Sequence, residues 1–165
     1  MELTGSQLIE ATQEKVWDAL NNVDILRRSI PGCESMQQEP DSTSVFRATL
    51  AARVGPIAAR FKSRIEITQI VPPESYKLSF EGQGGVAGMV KGNFAVRLTP
   101  DGHSTQLAFS GNAQVGGKLA QIGARLVDMA AKRTIIDFFS TFKLIVTENS
   151  EALESARSSD GTQRD

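Results

Sequence analysis

The chain lacks most of the residues that carry disulfide, metal or membrane-spanning chemistry. Its only cysteine, Cys33, cannot form an intramolecular disulfide, and its only histidine, His103, leaves too few ligands for a Cys/His zinc cage. No apolar run reaches the roughly 18 residues of a membrane-spanning helix, and the N-terminus lacks a signal-peptide pattern. These absences predict a cytoplasmic protein that holds neither a metal nor another cofactor.

The charge balance excludes a class of partner. The chain has 18 Lys+Arg against 19 Asp+Glu, so it lacks the basic excess that draws proteins to nucleic acid. Its 165 residues match one domain, and its 40% hydrophobic content matches an ordinary globular chain. We therefore expect one substantial core and no nucleic-acid partner.

The chain begins with a strand and two short helices. Residues 2–11 read as a strand, and Thr12 can cap the helix that follows. A second short helix over about residues 23–30 should stop at Pro31-Gly32, because proline disfavours helical geometry in the residue before it.

From Cys33 to Val115 the hydrophobic period changes to two, which predicts about six successive antiparallel strands. Phe61 and Ile65 point to one face of such a strand, while Lys62 points to the other. The sheet should therefore be dry on one face and wet on the other.

Apolar residues at helical spacing then predict one amphipathic helix over about residues 119–146. A sheet with one dry face needs a cover, and this helix is the element long enough to provide it. The predicted fold class is α+β, a curved antiparallel sheet wrapped around a long C-terminal helix. We assign residues 1–146 to this domain and residues 147–165 to a disordered polar tail.

The order of these elements and several local strings resemble the START-like (SRPBCC) helix-grip superfamily, and more narrowly the CoxG-like family of carbon monoxide dehydrogenase subunits. The strings are Val16-Trp17-Asp18-Ala19-Leu20, Ile30-Pro31-Gly32-Cys33-Glu34, Val54-Gly55-Pro56-Ile57, Gly88-Met89-Val90-Lys91-Gly92 and Gly116-Gly117-Lys118-Leu119-Ala120-Gln121-Ile122-Gly123. Together they span about residues 1–146.

The resemblance implies a non-catalytic cavity protein associated with molybdenum hydroxylases such as carbon monoxide dehydrogenase. Such a protein would act in maturation of the enzyme, in membrane attachment or in coupling to lipid-soluble quinones. The implied partners are an apolar small molecule, quinone or lipid-like, and the hydroxylase subunits, with at most peripheral contact at the inner face of the membrane.

Alternation places many small residues among Phe and Ile on the concave face, which can leave an apolar void. The ligand-binding residues that we predict are Phe46, Ala48, Leu50, Phe61, Ile65, Tyr76, Leu78, Phe80, Val90, Gly92, Phe94, Phe109, Gly111, Leu126, Met129 and Phe139. The same face carries no acid, lysine, arginine or histidine, so we predict no catalytic residue.

Three alternatives stay open at this point. The small residues can instead let the helix approach closely and leave no room, and Tyr76 can be an ordinary core tyrosine. The chain can be an enzyme of the aromatic cyclase type, which the superfamily also contains, although the missing inward titratable groups disfavour it. It can also be a ligand-free assembly factor that docks a partner through an exposed apolar patch.

Overall fold

The computed structural model describes residues 1–162, and for residues 149–162 it describes the backbone only. Within that range the chain forms seven strands, four α-helices and a short 3₁₀ turn at Gly85–Ala87. The strands are β1 (Glu2–Ile9), β2 (Cys33–Gln38), β3 (Val45–Val54), β4 (Ile57–Val71), β5 (Ser75–Gln83), β6 (Met89–Asp101) and β7 (Ser104–Gly116). The helices are α1 (Gln13–Leu20), α2 (Val23–Ser29), α3 (Lys118–Gln121) and α4 (Ala124–Thr162).

The seven strands form one antiparallel sheet in the order β1-β7-β6-β5-β4-β3-β2. Strands β2 to β7 follow one another as hairpins, while β1 pairs with β7 and α1 and α2 carry the chain to the opposite edge. This arrangement confirms the predicted α+β class and the six strands that follow the short helices.

Local capping explains why the chain turns into helices so soon after β1. The Thr12 hydroxyl accepts a hydrogen bond from the Lys15 N–H at 3.4 Å, and the Asn22 side chain accepts one from the Ile25 N–H at 3.1 Å. Each bond satisfies an amide that the first turn of a helix leaves free. Strand β1 ends at Ile9, two residues before the predicted boundary.

The final helix starts later than predicted. Gly123 adopts a φ of +104°, which a side chain would disfavour, and it separates α3 from α4. This break changes which residues of α4 face the sheet. Val127 is buried, whereas Leu126 and Met129 are 41% and 58% exposed, so the predicted apolar period is right and its phase is wrong.

Helix α4 also continues beyond the predicted end at residue 146, since its backbone is helical to Thr162. The predicted division into a domain over 1–146 and a disordered tail over 147–165 stays a prediction. Side chains after Glu148, and residues 163–165 altogether, lie outside the described part of the chain.

The largest core lies where α1, the β6–β7 hairpin and the middle of α4 meet. Ile9, Val16 and Phe142 are fully buried there, and Leu107 is 1% exposed. Since α4 lies against the sheet mainly through this cluster, the helix and sheet can diverge elsewhere.

Candidate functional site

Two adjoining cavities lie between the concave face of the sheet and α4. The larger has a volume of about 340 Å³ and the smaller about 310 Å³. Residues from α2, from the sheet and from α4 line both of them; the shared residues are Ile30, Pro31, Leu50, Ser63, Phe80, Phe94, Thr134 and Ile135. The two volumes therefore form one elongated compartment with a common wall at its middle.

The walls of this compartment are apolar. Among the described residues, no aspartate, glutamate, lysine, arginine or histidine lines either cavity. The one charged group at the smaller cavity is the α-amino group of Met1, which donates a hydrogen bond to the Ala113 carbonyl at 3.1 Å. A charged ligand would have to lose its hydration without gaining a counter-ion, so the walls favour an uncharged molecule.

Aromatic rings form one wall of the larger cavity. Phe80, Phe94 and Phe109 follow one another across β5, β6 and β7, with ring centroids 6.0 and 6.3 Å apart. Phe139 of α4 stacks on Phe109 at 5.7 Å, and Phe138 meets Phe139 edge to face at 5.1 Å. Phe80, Phe94, Phe109 and Phe138 are only partly buried, which fits rings that border an open space.

The compartment reaches the surface between the end of α2 and α4. Pro31 and Thr134 are exposed and line both cavities, and Asn21 is exposed and lines the larger one. Lining residues that are also exposed mark a mouth. The opening therefore lies between the bend at Ile30-Pro31 and the helical segment around Thr134.

Most of the predicted ligand-binding residues line this compartment. Eleven of the sixteen border one cavity or both, namely Phe46, Leu50, Phe61, Ile65, Tyr76, Leu78, Phe80, Val90, Phe94, Phe109 and Phe139. Five border neither: Ala48, Gly92, Gly111, Leu126 and Met129. Leu126 and Met129 point to solvent because α4 has a different phase, and Ala48 is packed with Met36 and Phe46.

The two glycines do not leave a void, and aromatic rings explain why. A Cβ on Gly92 would lie 2.8 Å from the ring of Phe80, and one on Gly111 would lie 2.7 Å from the ring of Phe94. Each glycine thus accommodates a phenylalanine that packs over it. Gly92 and Gly111 shape the aromatic wall from behind and do not face the cavity.

Sequence reasoning missed the wall on the helical side. Residues of the α2 region and of α4 that the prediction omitted are Leu20, Asn21, Leu26, Ile30, Pro31, Val127, Ala130, Ala131, Thr134, Ile135 and Phe138. The alternation of strands carries no information about them. The apolar spacing of Val127, Ala131, Ile135 and Phe138 could have shown the correct face of α4, had the break at Gly123 been recognised.

The titratable groups offer little for catalysis. His103 lies exposed in the β6–β7 turn and lines neither cavity, and no group of three potential metal ligands occurs in the part of the chain that is described. Burial raises the pKa of the Tyr76 phenol above its ordinary value, so this hydroxyl stays protonated at physiological pH.

Cys33 is half-buried beside α2, and its Sγ donates to the Ser35 carbonyl at 3.4 Å. Burial raises the pKa of its thiol, although the Arg27 guanidinium partly opposes the shift. Because the thiolate is the reactive form, we expect iodoacetamide to alkylate native protein at pH 8 more slowly than protein unfolded in urea. Faster alkylation of the native protein would show an activated cysteine instead.

No described helix is long and apolar enough to cross a membrane. No curated protein is significantly similar in sequence to this chain.

Solved structures with the same architecture include close and distant ones. A conserved protein from Geobacillus kaustophilus is 34% identical, with a TM-score of 0.83 over 90% of this chain and 96% of its own. The Zhui aromatase/cyclase from Streptomyces sp. R1128 is 12% identical, with a TM-score of 0.67 over 91% of this chain and 95% of its own. Ara h 8.0201 is 13% identical, with a TM-score of 0.66 over 90% and 98% of the two chains.

The two distant likenesses show the helix-grip fold alone. At the sequence level, the model of the CoxG family of carbon monoxide dehydrogenase subunits matches residues 5–147, which include nearly all of the described sheet and much of α4. That match agrees with the resemblance of the local strings. The chain belongs to the CoxG family of carbon monoxide dehydrogenase subunits.

Proposed function

We propose that this chain is a non-catalytic accessory protein of a molybdenum hydroxylase system and that it carries an uncharged apolar molecule, a quinone or a lipid. The observation that carries the proposal is the elongated compartment between sheet and α4, whose walls hold no charged side chain among the described residues. Membership of the CoxG family supports the association with a dehydrogenase of the carbon monoxide dehydrogenase type. The protein would act in the cytoplasm or at the inner face of the cell membrane.

The aromatic wall supports a ligand with a planar ring. Phe80, Phe94, Phe109 and Phe139 present ring faces and edges at centroid spacings of 5.7 to 6.3 Å. Offset and edge-to-face contacts at such spacings add to the free energy of apolar burial. A quinone ring with an apolar chain would use both the wall and the length of the compartment.

The aromatase/cyclase neighbour does not favour an enzyme here. General acid-base catalysis needs a titratable group within hydrogen-bond reach of the substrate. Tyr76 is the one titratable side chain among the described lining residues, and its raised pKa keeps it protonated. It can donate a hydrogen bond, but it has no neighbouring base to take part in proton transfer.

A specific observation favours a second candidate, the ligand-free assembly factor. Leu126, Met129 and Ile136 are 41%, 58% and 57% exposed and lie on the same side of α4. Exposed apolar side chains in one row are typical of a protein interface. In this case α4 would dock the hydroxylase and the compartment would stay empty.

Organic extraction of the purified protein followed by mass spectrometry separates the two candidates. We expect about one apolar molecule for each chain if the protein is a carrier. Repeated extraction of protein without any bound molecule, together with copurification of hydroxylase subunits, would contradict carriage and support docking.

A further inference from the structure

Four side chains on the wall of the larger cavity carry hydrogen-bonding groups, and two of them are already satisfied. Asn21 donates to the Trp17 carbonyl at 2.8 Å, and the Thr134 hydroxyl donates to the Ala130 carbonyl at 2.9 Å. The hydroxyls of Tyr76 and Ser63 make no hydrogen bond with any residue whose side chain is described.

Tyr76 is the more demanding of the two. Its side chain is 8% exposed, and it packs edge to face against Trp17 with ring centroids 5.7 Å apart. A buried hydroxyl that lacks a partner is costly, so native structures nearly always supply one. Since the described protein supplies none, the partner has to come from within the cavity.

The two hydroxyls are too far apart to serve one small polar group. Ser63 pairs with Gly82 on β5, six residues from Tyr76, which corresponds to roughly 20 Å along the strand. Ser63 borders both cavities and therefore marks the middle of the compartment. Tyr76 lies at one end, beside Trp17 and the main core.

We propose that Tyr76 is the polar anchor of the compartment and selects an uncharged amphiphile, whose carbonyl or hydroxyl oxygen accepts a hydrogen bond from the phenol. The apolar remainder of the ligand then extends along the aromatic wall, past Ser63, towards the smaller cavity. A carboxylate or phosphate is disfavoured, because no cationic side chain among the described residues faces the larger cavity. This inference rests on the proposed carriage of an apolar molecule.

The test compares three molecules of equal size, dodecane, undecan-2-one and decanoic acid, as competitors of the neutral dye Nile red on the full-length protein at pH 7. We expect wild-type protein to bind the ketone about fivefold to tenfold more tightly than the alkane, the usual worth of one hydrogen bond. The acid should bind more weakly than the ketone. Tyr76→Phe should remove the preference for the ketone and leave the alkane affinity unchanged.

Thr134→Val is the matched control, because it removes a cavity hydroxyl that the Ala130 carbonyl already satisfies. It should retain the preference for the ketone. Retention of that preference in Tyr76→Phe, its absence from wild-type protein, or its loss in Thr134→Val would overturn the anchor. Binding of dodecane without a preference for the ketone would refute the anchor alone, whereas failure of every probe to bind wild-type protein would refute carriage itself.

Discussion

Replacing Phe142 with alanine is expected to lower the free energy of unfolding by about 3–5 kcal/mol, the usual cost of deleting a buried aromatic ring. Phe142 is fully buried, stacks on Phe138 at 5.5 Å, and belongs to the cluster that joins α4 to Ile9 and Val16. Because a domain of this size is stable by only about 5–15 kcal/mol, the loss should be visible directly in urea denaturation.

Leu144→Ala is the control on the same helix. Leu144 is 63% exposed, so its replacement should change the free energy of unfolding by less than about 0.5 kcal/mol. Similar losses in the two variants would mean that α4 does not pack on the sheet through the face described above.

Filling the middle of the compartment should have the largest effect on binding. Ser63→Phe places a ring where the two cavities meet, on a strand whose neighbour at this position, Gly82, has no side chain. We expect the affinity for Nile red to fall by a factor of about 10 or more, because an added ring occupies volume that the dye needs. Overpacking should cost at most about 1–3 kcal/mol of stability.

Ser79→Phe is the matched control, since Ser79 points to the outer face of the sheet and lines neither cavity. It should leave the dye affinity unchanged. Undiminished dye binding by folded Ser63→Phe protein would show that the dye does not enter the compartment.

The sheet was predictable from the sequence because each strand alternates clearly. Phe61 and Ile65 faced the expected side, and this parity correctly placed Phe80, Phe94 and Phe109 on the concave face. Parity could not show which small residues leave space. Gly92 and Gly111 are filled by neighbouring rings, and that packing depends on rotamers in adjacent strands.

The helical wall was less predictable, because apolar residues occur on more than one side of α4. Met129 and Ile135 both fit a helical period, but only Ile135 lines the cavities. The choice between the two faces depends on the left-handed conformation at Gly123, which sets the starting angle of α4. A glycine in a helical pattern is tolerated often enough that its effect could not be predicted from the sequence.

The central claim is that the compartment between the sheet and α4 admits an uncharged apolar molecule. Trp17 is the only tryptophan, is 9% exposed, and lies against Tyr76 at one end of the larger cavity, so its fluorescence reports on that space. Titration with decylubiquinone, whose ring quenches indole fluorescence at close range, should give quenching that saturates at about one equivalent. Quenching that rises linearly without saturation, as for tryptophan free in solution, would contradict the account.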